Sequence, residues 1–241
     1  MYIEVDTHCH TIASTHAYST VLEMANSAAE IGLKGLAITD HSTGGADSPH
    51  IWHFHNMIKA IPRVLKNVNM IFGAEVNIMD FEGNLDFNET ELKKLEWIVA
   101  SMHGTIMKIG TSEDYTNSYI KLAKNPYVDA IGHCAMNNFK FDYEKVLKIF
   151  KEYEKFVEIN ESAINNKAMA KENYIEIVNI CKKYEIPVVV NTDAHFCYAV
   201  GDVSSSEKLL TELDFPKKLV LNANWDSFKE YIVKKRGNIF E

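Results

Sequence analysis

The feature that most limits how this chain can fold is an alternation repeated seven times along its 241 residues. A short apolar or β-branched run gives way to a longer stretch with helix signals, and then another apolar run follows. The expected strands are residues 2–6, 35–39, 70–78, 97–101, 130–133, 156–160 and 188–191. Strands separated by helices build parallel βαβ units. No glycine-rich dinucleotide turn follows the first strand, so the α/β pattern favours a closed barrel. An open doubly wound sheet is the alternative that periodicity leaves standing.

The intervening segments carry their own punctuation. Thr20 and Glu23 form a capping-box signature ahead of a helix over 21–31. Asp142 is placed to cap a helix whose apolar positions include Val146, Phe150 and Tyr153. Ile175, Val178 and Cys181 are expected on one face of a helix that ends before Pro187. Asp226 is the expected cap of a last helix with Phe228 and Ile232. Residues 52–66 read as partly helical, and Gly83 marks a hairpin between Ile78 and Leu85. The length suits one domain spanning 1–241.

Chemistry-bearing residues gather at the strand ends. The first strand runs into Asp6-Thr7-His8-Cys9-His10. In extended chain the side chains of residues i and i+2 point the same way, so His8 and His10 form a two-point grip and Cys9 turns away. Asp193-Ala194-His195 repeats the device. Between them, His41, Glu75, His103 and His133 each stand at or beside the end of a strand, and His16 lies in the first loop. In a parallel barrel the carboxyl ends of all strands converge on one face. Histidine at one strand end is commonplace, but a histidine or carboxylate at the same end of six strands is not a scatter. Imidazole and carboxylate without thiolate suit zinc, iron(II) or manganese. Nine such ligands exceed the needs of one tetrahedral zinc. At three or four protein ligands per ion, with one carboxylate bridging, they serve three divalent ions.

Other candidates carry less. His53 and His55 read as a His-rich surface segment entering a helix, and His50 is open between pocket rim and surface. Ser14, Thr15 and Ser19 have no nucleophile-elbow context and are expected to shape the first loop. Asp40 either orients a ligand from behind or closes a strand, and Asn160 and Ser162 either hydrogen-bond the substrate or a ligand or close a loop.

The net charge of −8 repels phosphate backbones and argues against broad nucleic-acid binding. No apolar run has the length of a membrane span, and the N-terminus lacks the basic start of a signal peptide. The four cysteines (Cys9, Cys134, Cys181, Cys197) form no CxxC pair and read as reduced thiols of a cytoplasmic protein.

At these residues the chain resembles the PHP family, the polymerase and histidinol phosphatase superfamily, and within it the YcdX-type phosphatases. The resemblance rests on Asp6-Thr7-His8-Cys9-His10 with Thr11, on Thr39-Asp40-His41, on the single His103 and His133, on Asp193-Ala194-His195, and on residues 11–20 and 49–54. It implies a distorted (β/α)7 barrel with the metal site at the C-terminal ends of the strands. It implies one metal on His8, His10, Glu75 and Asp193, a second on Glu75, His103 and His133, and a third on His16, His41 and His195. It also implies three zinc ions, a small phosphorylated metabolite as substrate and a homotrimer. The expected reaction is hydrolysis of a phosphomonoester by a hydroxide bridging the metals that share Glu75. The alternatives are a phosphodiesterase or exonuclease of the same family, a histidinol phosphatase, and a metal-binding protein without turnover.

Overall fold

The computed structural model describes residues 3–46, 48–165 and 171–240. Tyr2, the expected start of the first strand, lies outside them. The strands are β1 Val5–Asp6, β2 Gly35–Ile38, β3 Val64–Leu65, β4 Val68–Asn77, β5 Trp97–Ser101, β6 Ala130–Ile131, β7 Phe156–Asn160 and β8 Val188–Asn191. Seven run parallel in the order β1-β2-β4-β5-β6-β7-β8, while the short β3, which the sequence did not announce, pairs antiparallel with β4.

The sheet curls into a distorted (β/α)7 barrel, which removes the open-sheet alternative. Beyond the ends of β1 and β8, Cys9 and Ala194 form a parallel bridge. There His10 N–H donates to Ala194 O at 2.8 Å and Asp193 N–H donates to His8 O at 2.9 Å. Lower down no ladder joins the two strands among the described residues. The Asn222 amide fills the gap, donating to Val5 O at 2.8 Å and Val190 O at 2.6 Å and accepting from Val190 N–H at 2.9 Å. One side chain thus replaces the missing stretch of ladder and satisfies buried backbone groups.

Strand alternation sorts the residues. Outward positions such as Leu36, Ile38, Met70, Phe72, Ala74 and Val76 join the layer under the helices. Inward positions near the floor form a second apolar cluster of Val5, Ala37, Ile71, Trp97, Val99 and Val189, sealed by Phe228 and Ile232 from the helix Trp225–Arg236. Higher in the same inward register the residues turn polar: Glu75 and Asn77 on β4, Ser101 on β5, Glu158 and Asn160 on β7, and Asn191 on β8. The barrel therefore has an oily floor and a polar mouth. Gly132, just below His133, keeps the wall thin: a Cβ there would lie 2.2 Å from Ser101 Oγ.

Most helix signals hold. Thr20 and Glu23 make the capping box of the helix Val21–Glu30, and Asp142 accepts from Lys145 N–H at the start of the helix Tyr143–Glu152. The hairpin at Gly83 is present, with Ile78 paired to Leu85 and φ +73° at the glycine. Three details differ. The last helix is capped by Asn224, whose Oδ1 accepts from Ser227 N–H at 2.9 Å. Asp226 sits inside the first turn, where its charge favours the helix dipole but cannot cap. Tyr153 lies at the end of its helix and is exposed. In the helix Lys171–Tyr184 the buried stripe is Tyr174, Ile177, Val178 and Cys181, and Ile175 faces outward. Steps of three residues drift off a stripe that advances 3.6 per turn, so the i, i+3, i+4, i+7 set wins.

No helix among the described residues is long and apolar enough to cross a membrane.

Candidate metal centre

All nine residues singled out in the sequence meet at the mouth of the barrel. Glu75, on the inward face of β4 and 1% exposed, is the hub. Its Oε1 lies 2.9 Å from His133 Nε2, 3.4 Å from His103 Nε2 and 3.5 Å from His8 Nε2. Its Oε2 lies 2.7 Å from His41 Nδ1 and 3.6 Å from His10 Nε2. On the β1 side, His10 Nε2 is 3.2 Å from His8 Nε2 and 3.1 Å from Asp193 Oδ1. Further out, His16 Nε2 is 3.4 Å from His41 Nε2 and 2.8 Å from His195 Nε2.

These spacings fit metal ligation. Two donors about 2.1 Å from one ion at a tetrahedral angle are roughly 3.4 Å apart. Three groups among the described residues have donor atoms all within 4.8 Å of one another: His8, His10 and Glu75; His41, Glu75 and His103; His10, His41 and His195. His10 and His41 each fall in two groups, so the cluster is continuous. Glu75 Oε2 and His10 Nδ1 are buried without an aligned hydrogen bond, although His41 Nδ1 stands 2.7 Å from Glu75 Oε2. A buried carboxylate facing imidazoles is costly unless a ring is protonated or a cation completes it. The His/Glu cluster is able to bind metal.

Behind the ring stands a layer of residues that orient it; of these the sequence points to Asn160 but not to Glu158 or Asn77. The fully buried Glu158 on β7 accepts from His8 Nδ1 at 2.7 Å and from His133 N–H at 2.7 Å. Asn77 Oδ1 accepts from His103 Nδ1 at 2.7 Å, and Asp193 O accepts from His195 Nδ1 at 2.9 Å. Each of these partners offers only an acceptor, so each ring, when neutral, carries its proton on Nδ1 and turns the Nε2 lone pair to the centre. Asn77 is itself held by Ser42 and Asp86. Asn160 donates to Asp193 Oδ2 at 3.2 Å and to Glu158 at 3.0 Å, which gives it a place behind the ligands. A signal for Glu158 existed: Phe156, Glu158 and Asn160 alternate on one face of a strand.

Asp40 organises the first loop. It accepts from Thr11 N–H at 2.7 Å, Thr11 Oγ1 at 2.8 Å and Ser14 Oγ at 2.8 Å. His53 Nε2 donates to it at 2.9 Å, so His53 is not a bystander on the surface. His41 N–H in turn donates to Ser14 Oγ. Cys9, as its alternation required, points away and donates to Ala37 O.

The electrostatics follow from packing many titratable groups together. Burial opposes charge on His8, but Glu158, Asp193 and Glu75 outweigh it and hold its pKa well above the usual histidine value. His10 is pushed down to about 4, first by burial. Burial would raise Glu75, yet His103, His8 and His41 hold it well below the ordinary carboxylate range. The backbone is also strained here. His133 and Asp193 have φ of +23° and +56°, in the left-handed half that side chains avoid. The site opens into a cavity of about 340 Å³ whose lining also includes Ile106, Met136 and Ala163.

Comparison with known proteins agrees with this geometry. The PHP domain pattern matches residues 6–162. A protein of Caldicellulosiruptor bescii named "Probable phosphatase" is 40% identical over 232 residues, covering 96% of both chains. One of Acetivibrio thermocellus with the same name is 41% identical over 239 residues, covering 99% of both. Among solved structures, histidinol phosphate phosphatase from Lactococcus lactis, complexed with zinc, L-histidinol and phosphate, superimposes with a TM-score of 0.64 at 17% identity. It covers 88% of this chain and 94% of its own.

Proposed function

The chain belongs to the PHP domain family, and from that premise we propose that it is a metal-dependent phosphatase acting on a small phosphomonoester. The observation that carries this reading is Glu75: a buried carboxylate ringed by imidazole nitrogens, which neutralise it only when protonated, in the lining of an open cavity. The imidazole and carboxylate donors, with no thiolate among them, fit zinc.

The ligands divide into three sets. His8, His10, Glu75 and Asp193 hold one ion, Glu75, His103 and His133 a second, and His16, His41 and His195 a third. Divalent ions bound there supply Lewis acidity toward phosphoryl oxygens and lower the pKa of water to near neutrality. The chain's own residues position the chemistry. Glu158, Asn77 and the Asp193 carbonyl lock three imidazoles so that Nε2 faces inward. Asn160 steadies Asp193. The overall reaction forms one P–O bond from water oxygen and breaks the P–O bond to the alcohol. One water proton goes to the alcohol, and inorganic phosphate leaves.

Four cysteines that are buried and free suit a reducing compartment, which supports a cytoplasmic location. The test is to strip the protein with chelator, reconstitute it with zinc, and follow 4-nitrophenyl phosphate with metal analysis of the same samples. Activity should vanish and return with metal content near three ions per chain. Full activity in metal-free protein overturns the proposal.

A further inference from the structure

Resting on the phosphatase reading, we propose that Ile106, Met136 and Ala163 form a leaving-group wall that selects phosphomonoesters of small, uncharged, largely apolar alcohols. The three come from consecutive loops beyond the barrel strands and face one cavity. Ile106 lies in the tight turn where Ile106 and Met107 N–H both donate to His103 O. Met136 precedes the short helix Asn137–Phe139. Ala163 lies in the helix Glu161–Asn165 and is pinned by Asn160, whose Oδ1 accepts its N–H at 2.8 Å. The wall is therefore built on the same elements as His103, His133 and Glu158, and its position relative to them is fixed.

The cavity lining divides into two chemical sets. Its ionisable lining is the histidines, Glu75 and Asp193, all at the metal centre, where the phosphoryl group belongs. The rest of the lining is the three apolar side chains, the hydroxyls of Thr105 and Ser162, and Asn77, whose Oδ1 is taken up by His103 Nδ1. No lysine or arginine lines the cavity among the described residues. A second phosphate, a carboxylate or an ammonium on the alcohol would be desolvated against this wall without a counter-charge, and a polyol would leave hydroxyls unsatisfied. The volume of about 340 Å³ lies at the small end of ligand pockets, which suits a small alcohol.

The experiment measures kcat/KM of the zinc-loaded protein for benzyl phosphate, glucose 6-phosphate, 3-phosphoglycerate and histidinol phosphate. All four release an alkoxide, so intrinsic reactivity is comparable. Benzyl phosphate should lead by about tenfold or more. In Met136→Lys, 3-phosphoglycerate should gain on benzyl phosphate by about tenfold, and in Ile106→Ser the benzyl advantage should shrink. Equal rates across the panel, preference for a charged alcohol, or ratios unchanged in both variants would overturn the wall while leaving the phosphatase reading intact. Hydrolysis of none of them by zinc-loaded protein would bring down the phosphatase reading itself.

Discussion

Two carboxylates are buried at opposite ends of this barrel, and their surroundings differ in kind. At the floor, both oxygens of Asp129 are satisfied. Oδ2 accepts from Ile98 N–H at 2.8 Å and from Arg236 Nη2 at 2.9 Å; Oδ1 accepts from the Tyr231 hydroxyl at 2.8 Å and from Lys235. At the mouth, Glu75 faces imidazoles, and its Oε2 accepts no aligned hydrogen bond. The guanidinium carries its charge at any ordinary pH and the lysine adds a second cation near neutrality, so the floor is complete within the chain. Imidazoles neutralise a carboxylate only when protonated, so the mouth is complete only with protons or metal. A charge that serves the fold is closed off, and one that serves chemistry keeps an open direction.

The largest effect should come from breaking the mouth. Glu75→Gln removes the shared ligand and should lower zinc-dependent phosphatase activity roughly a thousandfold or more, as loss of metal-based stabilisation worth several kcal/mol implies. Circular dichroism should show the barrel still folded. Activity within a few-fold of wild type would erase the distinction between the two ends.

The matching change at the floor is Asp129→Asn. It leaves Arg236 and Lys235 without their anion and should destabilise the protein by about 3–5 kcal/mol, while kcat per folded molecule changes little. Urea unfolding and active-site titration on one preparation separate the two. A large loss of kcat with unchanged stability would mean that the ends are coupled.

A smaller effect sharpens the contrast through pH. Lys155 donates to Asn125 O and Val128 O near the floor. Burial, aided by the charge of Lys235, pushes it down to about 8 from 10.5. Between those values the unfolded chain holds more protons than the folded one, so this group makes stability rise with pH across that window and adds no slope below it. Lys235 is shifted the same way and shares the slope. Denaturant unfolding at pH 7, 8, 9 and 10 should show wild type gaining stability relative to Lys155→Met as pH rises, over the opposing contribution of the buried Cys9, Cys134 and Cys181, whose thiols burial pushes up. An equal slope in the variant would assign the effect elsewhere.

Much of the mouth was legible in the sequence because strand geometry is local. Extended chain puts His8 and His10 on one side and Cys9 on the other whatever surrounds them, and a parallel barrel gathers the strand ends. The supporting layer was harder to read. Glu158 looks like any acid in a strand until the inward face is known, and its bond to His8 spans 150 residues. His53 resembles its neighbour His55 in sequence, yet only His53 reaches Asp40. The floor was hidden for the same reason: nothing near Asp129 in the chain announces Lys235 and Arg236.

The sequence by itself determined the alternation of strands and helices, the parallel βαβ pattern, and eight candidate ligands at or beside strand ends with His16 in the first loop, since each follows from periodicity and side-chain direction over a few residues. Only the tertiary structure decided how the barrel closes, with Asn222 standing in for a missing stretch of ladder. It also decided which nitrogen of each ring faces the centre, and which buried carboxylate is sealed and which stays open. Those outcomes depend on hydrogen bonds between residues far apart in the chain, which no local pattern records.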